Sequence, residues 1–327
     1  MEMLRLGRSG LRVSPLALGT AAFGDSARSP WSVGADGVWP LVSHAFDRGI
    51  SLFDTGTSYG GGLAEVRLGE ALHRLDRRQD VTIVTKVYFP AEPGSQDRGL
   101  SRRHLIAALD RSLARLRTDY VDMLMIHRWD REAPVEETLS TLDGFVRSGR
   151  VRYLGASSMS AWRLMKMLGL QRSGGMEPFV AMQGHYNLLY REEEREMIPL
   201  CREEGLGYMA WSPLARGRLA GPRADPVRLR EDRLASARFD AALDQLVLDA
   251  LDKAAGATGL PHAALALGWL AGRGAIPVVG PSTPAELDVA LEGLRAGEGE
   301  DVLLAAELAY RPHGVIGFSP LEEQPLL

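Results

Sequence analysis

From residue 38 onward the chain alternates between short, almost uninterrupted apolar runs and longer stretches in which apolar residues return every three or four positions. The short runs lie at 51–55, 81–87, 120–127, 151–157, 179–183, 206–212 and 275–280, and an earlier one at 13–20 makes eight. Runs that are apolar on successive rather than alternate residues predict parallel strands covered on both faces. The stretches between them predict helices. Leu105, Leu109, Leu113 and Leu116 form one stripe behind a candidate N-cap at Ser101, and Val135, Leu139, Leu142 and Val146 form another. Thr283-Pro284-Ala285-Glu286 has the form of a capping box with proline at the first helical position.

Strand–helix alternation at this spacing predicts the α/β class. With no composition break over 1–327, eight units predict one (β/α)8 TIM barrel rather than two domains. A doubly wound dinucleotide-binding sheet is the competing arrangement, but no G-x-G-x-x-G follows the first run. Residues 1–13, turning at Arg8-Ser9-Gly10, predict a β-hairpin that caps one end of the barrel. The stretch 215–239 predicts a long loop, functional by its length. A tail is expected over 297–327.

Composition narrows the function classes. An apolar content of 45% with 24% charged residues is that of a chain able to bury a core. A net charge of -4 leaves no basic excess, so no nucleic-acid partner is expected. Cys201 is the only cysteine, which excludes an intramolecular disulfide, and no metal site is expected. Residues 1–7 show no basic segment leading into an apolar run, and no run approaches the ~20 apolar residues of a membrane span. The expectation is a cytoplasmic protein. Lysine occurs only at 86, 166 and 253, against 35 arginines. That bias marks Lys86, because lysine carries a compact charge whose pKa shifts readily.

In a barrel the chemistry sits at the carboxyl ends of the strands. Read there, the runs deliver Asp54 with Tyr59 five residues on, Lys86, His127, Ser157 and Ser158, Gln183, Trp211 and Ser212, and Gly280. Singly, each has a plainer use: Asp54 capping a turn, Tyr59 a loop aromatic, Lys86 a solvated strand end, His127 a satisfied core histidine. Together, on separate segments of one rim, they argue for a reaction centre.

Three segments carry a resemblance. Phe53-Asp54-Thr55-Gly56-Thr57-Ser58-Tyr59-Gly60, Val84-Thr85-Lys86 and Ile126-His127-Arg128-Trp129-Asp130 resemble the catalytic segments of the aldo-keto reductase superfamily. The stretches 149–158 and 210–217 extend the likeness, and 186–194 resembles a bacterial branch of NAD(P)H-dependent oxidoreductases. The match runs in order from about residue 4 to 293.

The resemblance implies reduction of an aldehyde or ketone to an alcohol. The hydride must come from a cofactor, because no side chain supplies one. A free tyrosine, with a pKa near ~10, is a poor acid at neutral pH. The family reading makes Tyr59 the general acid, with Lys86 lowering its pKa, Asp54 pairing with Lys86, and His127 bonding the carbonyl oxygen. It implies that Ser157, Ser158 and Gln183 hold the nicotinamide carboxamide and that Trp211 stacks on its ring. Ser212, Leu214, Arg216 and Arg218 would follow the pyrophosphate, and Gly280, Ser282, Thr283 and Glu286 the adenosine end. NADP(H) is the cofactor the family favours. NAD(H) stays open, because Thr283 stands where a basic residue is common and Glu286 is acidic, although the capping box is a simpler use of both. Gly184 and Ala290 replace residues commonly asparagine, so a wider pocket or looser cofactor contacts are expected. Phe23, Trp31, Tyr88, Arg128 and Trp129 are expected to line a pocket for a small aromatic or moderately apolar carbonyl, with Arg128 alternatively reading an acidic group. Two other classes remain: a cofactor-binding regulatory subunit with little turnover, and a lyase or isomerase using Lys86 as a Schiff base. The Asp54 partner argues against the second.

Overall fold

A computed structural model describes residues 1–25, 31–90, 97–223, 239, 241–295 and 300–315. Eight parallel strands close a barrel: β3 (Ala17–Gly19), β4 (Leu52–Asp54), β5 (Thr82–Val87), β6 (Val121–Ile126), β7 (Val151–Ser157), β8 (Phe179–His185), β9 (Gly207–Trp211) and β10 (Ala275–Val279). Each pairs with the next in sequence, and β10 closes on β3. Around them run α1 (Ala35–Asp47), α2 (Leu63–Leu75), α3 (Arg102–Leu116), α4 (Val135–Arg147), α5 (Ala161–Ser173), α6 (Met197–Glu204), α7 (Ala241–Thr258), α8 (His262–Gly272) and α9 (Pro284–Arg295). The expected (β/α)8 barrel is the fold. Ser101 caps α3 by accepting from the His104 N–H at 3.4 Å, and its four stripe leucines are buried against the sheet.

Why the strands read as continuous apolar runs is visible in their two faces. Leu52, Val84, Met123, Met125, Ala181, Met209, Ile276 and Val278 point into the barrel, whereas Phe53, Ile83, Leu124, Leu154, Met182 and Val279 pack outward under the helices. The inward set changes character along each strand. Two residues beyond Leu52 comes Asp54, beyond Val84 Lys86, beyond Met125 His127, beyond Ala181 Gln183, and beyond Met209 Trp211. Period two thus stacks an apolar plug at one end of the barrel and a polar rim at the other.

The plug is completed from outside. Strands β1 (Leu4–Arg5) and β2 (Arg12–Val13) pair antiparallel as the expected hairpin. Its turn is closed by Leu6 N–H to Leu11 O at 2.9 Å and by Arg5 Nε to Ser9 O at 2.6 Å. The Leu6 side chain is fully buried with Ala17, Leu52 and Met209, and the bare Cα of Gly207 makes room for it. A Cβ on Gly207 would lie 2.4 Å from Leu6 Cδ1.

The structure refines three expectations. The run at 13–20 is two elements, Val13 in the hairpin and Ala17–Gly19 in the barrel. Pro15 has no N–H to offer a ladder, and Ser14 Oγ takes over the join, accepting from Ser51 N and Leu52 N at 3.2 Å each. The tail is partly helical: α10 (Glu300–Ala309) packs on α7 and α8 with Leu303 and Ala306 buried, and Glu307 accepts from Trp269 Nε1 at 2.6 Å. The stretch 215–239 begins with 3-10 turns over Ala215–Arg223, while 224–238 lie outside the described residues. No helix among the described residues is long and apolar enough to cross a membrane.

If Leu6 plugs the barrel, Leu6→Ala lowers unfolding free energy by about 2–5 kcal/mol, the range for a large-to-small change in a filled core. Urea denaturation at unchanged m-value measures it; a loss below about 1 kcal/mol would mean that the hairpin merely rests on the barrel.

Candidate active site

At the polar rim, β4 and β5 lie side by side with Asp54 opposite Val84, which puts Lys86 against the Asp54 carboxylate. Lys86 Nζ donates to Asp54 Oδ1 at 2.7 Å and Oδ2 at 2.6 Å, to Thr55 O at 3.0 Å, and to Tyr59 Oη at 3.3 Å. The pair is sealed, with side-chain exposures of 0% for Lys86 and 3% for Asp54. Gln183, at the same level of β8, donates Nε2 to Asp54 Oδ1 at 2.8 Å. Tyr59 is delivered by the loop after β4, which folds onto the strand ends through Thr57 N to Lys86 O at 3.0 Å and Tyr59 N to Gly56 O at 3.1 Å. His127, one residue past β6, sits edge-on to Tyr59 with ring centroids 5.7 Å apart. The four residues of the expected tetrad therefore meet at one point.

Their electrostatics differ from expectation in one respect. Scarcity of solvent around the phenol raises the Tyr59 pKa, and Lys86 offsets that only in part, so the net direction is upward. The expected lowering by Lys86 is present but outweighed, and Tyr59 holds its proton at neutral pH. For Lys86, burial pulls the pKa down, but Asp54 and then Tyr59 raise it further, leaving a permanently charged ammonium. That is the wrong state for Schiff-base chemistry. Burial first, then the neighbouring Lys86 and Arg128 charges, push the His127 pKa well below its ordinary value, so the imidazole is neutral. Its Nδ1 is enclosed, with no hydrogen-bond partner among the described residues.

Beyond the tetrad a cleft of about 480 Å³ runs across the rim. Ser157, Ser158, Gln183 and Trp211 form its wall next to Asp54 and Tyr59. Trp211 is fixed from two sides: its Nε1 donates to Ser158 Oγ at 3.0 Å, and one ring face lies on His185 at 4.1 Å and 5°. His185 is itself backed by Tyr190 at 4.2 Å and edged by Phe239 at 5.7 Å. The cleft continues past Ser212, Leu214 and Arg216 to Gly280, Ser282, Glu286, Val289 and Ala290. Six non-glycine residues of the described chain have positive φ. Asp76 and Arg117 are helix C-caps, whereas Ser158, Ser212 and Arg216 line this cleft and the buried Ala215 immediately precedes Arg216. Strain of this kind, about 1–3 kcal/mol per residue, concentrates where a backbone is shaped for a ligand.

Other expected positions lie elsewhere. Arg128 lines the cleft, with its guanidinium 5.8 Å from the Phe89 ring. Phe23, Trp31, Tyr88 and Trp129 are not among its lining residues. Phe23 is fully buried in the outer core, Trp31 and Tyr88 pack against that core, and Trp129 borders a separate depression with Trp162. Phe89 takes the position foreseen for Tyr88, 5.1 Å from His127. Arg218 sits 5.7 Å from the Phe239 ring, outside the cleft lining, and Thr283 is an exposed helix cap. Gly184 does not widen the cleft. It faces outward on β8, and a Cβ there would meet Tyr208 Oη at 2.0 Å, so the missing side chain is replaced by a tyrosine from β9.

A barrel with this constellation has relatives. The model of the aldo/keto reductase family matches residues 15–295. The chain belongs to the aldo-keto reductase family. Over 340 residues it is 37% identical to versiconal hemiacetal acetate reductase of Aspergillus parasiticus, covering 96% of this chain and 98% of that one. Identity is 36% to an aldo-keto reductase of Fusarium vanettenii and 34% to the aldo-keto reductase dtxS3 of Metarhizium robertsii, each covering 98% of this chain and 94% of the relative. These relatives are fungal. As a member of this family the protein is an oxidoreductase, and the family works with a nicotinamide cofactor.

The neutral state of His127 has a measurable sign. Its folded pKa is depressed, so the unfolded chain binds a proton that the folded chain refuses below about pH 6.5. Stability contributed by the neutral imidazole is complete above that pH and is lost as pH falls toward the folded pKa. Urea titrations at pH 7.5 and 5.5 should show wild type losing more stability than His127→Phe, by at most about 1.4 kcal/mol per pH unit. Equal losses would mean that the ring is not shielded.

Proposed function

We propose that the protein reduces an aldehyde or ketone to an alcohol with a nicotinamide dinucleotide bound along the cleft. The observation that carries this reading is the sealed Asp54–Lys86 pair set directly beneath a protonated Tyr59. The cleft fits such a cofactor on its own terms. Ser157, Ser158 and Gln183 offer amide-binding groups beside Trp211, whose ring is held flat by His185. Gln183 spends its NH2 on Asp54 and keeps its carbonyl oxygen to accept from a carboxamide. The pre-shaped turn from Ser212 to Arg216 lies along the middle of the cleft, where a pyrophosphate would run.

When bound, the dinucleotide supplies the hydride. The side chains manage the oxygen. An unpartnered buried nitrogen is cheaper as a lone pair than as an N–H, so the missing Nδ1 partner favours the His127 tautomer protonated on Nε2, ready to donate to a substrate oxygen. Tyr59 gives that oxygen its proton from Oη. The phenolate left behind lies 3.3 Å from the Lys86 ammonium, which stabilises the charge as it forms rather than before. Asp54 keeps the ammonium charged and oriented, and through Gln183 it ties the proton donor to the carboxamide position. Tyr59, His127, Phe89 and Arg128 are the walls nearest the reacting carbonyl, which suits a planar, moderately apolar substrate.

The test follows the reduced-nicotinamide absorbance over a panel of aromatic and aliphatic aldehydes, with nucleotide binding measured separately by fluorescence. Tyr59→Phe should lower kcat by about 10²–10⁴, the range for removing a general acid, with nucleotide affinity within about threefold of wild type. Wild-type turnover retained by Tyr59→Phe would refute the acid role. Tight nucleotide binding with no turnover on any carbonyl would instead mark a regulatory subunit.

A further inference from the structure

The far end of the cleft is an acidic helix N-terminus. Glu286, in the first turn of α9, folds back so that its Oε2 accepts from the Ser282 N–H at 2.8 Å. Its own N–H donates to Thr283 Oγ1 at 3.3 Å. Pro284 has no N–H. Of the donors that a helix start turns toward an anion, two are already engaged by the protein and one does not exist. Ser282 and Glu286 both line the cleft, beside an apolar slot formed by Pro261, Ala263, Val289 and Ala290. The stretch 280–290 contains no lysine or arginine.

We infer that this end selects a ribose bearing a free 2′-hydroxyl, so that the protein prefers NAD(H) to NADP(H), with Glu286 as the specificity-determining residue. The inference rests on the reading of the cleft as a nicotinamide dinucleotide site. With the reacting end at Tyr59 and His127, an extended dinucleotide brings its adenosine to the opposite end, where the apolar slot takes the base and the ribose meets the turn at Ser282. One carboxylate oxygen of Glu286 accepts from Ser282 N, and the other remains to accept from a ribose hydroxyl. An acidic side chain at the ribose favours a hydroxyl donor, whereas a 2′-phosphate needs a cation. A phosphate monoester carries about -1.5 to -2 charges, and here it would meet a carboxylate already seated on the positive end of the helix. This reverses the NADP(H) preference implied by resemblance: the hydroxyl of Thr283, at the position where a basic residue was anticipated, caps α9.

The decisive experiment is an equilibrium fluorescence titration of the full chain with NADH and with NADPH, at low and moderate salt, for wild type, Glu286→Gln and Glu286→Arg. Glutamine keeps the capping hydrogen bond and removes only the charge, and the exposed position lets both variants fold, which circular dichroism verifies. Wild type should bind NADH about tenfold or more tightly than NADPH at low salt, and the ratio should narrow as salt screens the repulsion. Both variants should tighten NADPH and weaken NADH, whose ribose hydroxyl loses its acceptor, so that the NADH:NADPH affinity ratio falls by about tenfold or more. NADPH binding as tight as NADH in wild type overturns the inference but leaves the reductase reading standing. A preference for NADH that both variants keep unchanged removes Glu286 as its cause and overturns the assignment. Failure of folded wild type to bind either nucleotide overturns the reductase reading itself, and this inference with it.

Discussion

The rest of the site depends on one buried ion pair. Taking Lys86 and Asp54 out of water is costly, and mutual attraction alone seldom repays it. Here the remaining bonding capacity of both groups is filled as well. Asp54 accepts from the ammonium with both oxygens and from Gln183, and the ammonium reaches Thr55 O and Tyr59 Oη besides the carboxylate. Such a network tolerates little slippage, because a one-residue shift of β4, β5 or β8 would turn its member out of the barrel. The pair therefore ties three strand ends in register and sets a fixed positive charge under a phenol that burial keeps protonated. A charge that stabilises phenolate, beneath a tyrosine that is not yet phenolate, is preorganised for the moment of proton transfer.

The same period of two explains what was readable in the chain. Both faces of each strand are covered, so alternation is invisible in the apolar runs and only the run itself announces a strand. At the carboxyl ends the inward residues turn polar, and Asp54, Lys86, His127, Gln183 and Trp211 therefore stood out before any geometry was known. His185 is the residue that this logic should have found. It lies two beyond Gln183 on the inward face, but Gly184 interrupts the apolar run after Gln183, and β8 continues across it to His185. Tyr88 shows the opposite error. It keeps the inward parity of Lys86, but the strand ends at Val87, and past that point the loop turns Phe89 to the cleft instead.

Other features stayed hidden because distant residues decide them. Gly184 looked like a missing amide, yet its space is claimed by Tyr208 from the adjacent strand. The segment expected only as a tail holds α10, which Glu307 anchors through Trp269 and Arg273, and Tyr310 Oη donates to Glu192 Oε1 at 2.6 Å. Trp129 was drawn toward the pocket by adjacency to His127 and Arg128, but the chain turns after Arg128 and carries it to Trp162. At α9 the capping pattern read from four residues is the arrangement found, with the Glu286 carboxylate reaching one residue further back, to Ser282.

The Lys86 ammonium favours the Tyr59 phenolate while the site's burial keeps the proton in place. Carbon-13 NMR of ζ-labelled tyrosine, with Tyr59 assigned by substitution, measures its titration in wild type and in Asp54→Asn/Lys86→Met, which removes both charges together and leaves neither stranded. Tyr59 should titrate above the ordinary tyrosine value in wild type and higher still in the double variant. Titration of wild-type Tyr59 below that value, or the same value in both proteins, would contradict the account.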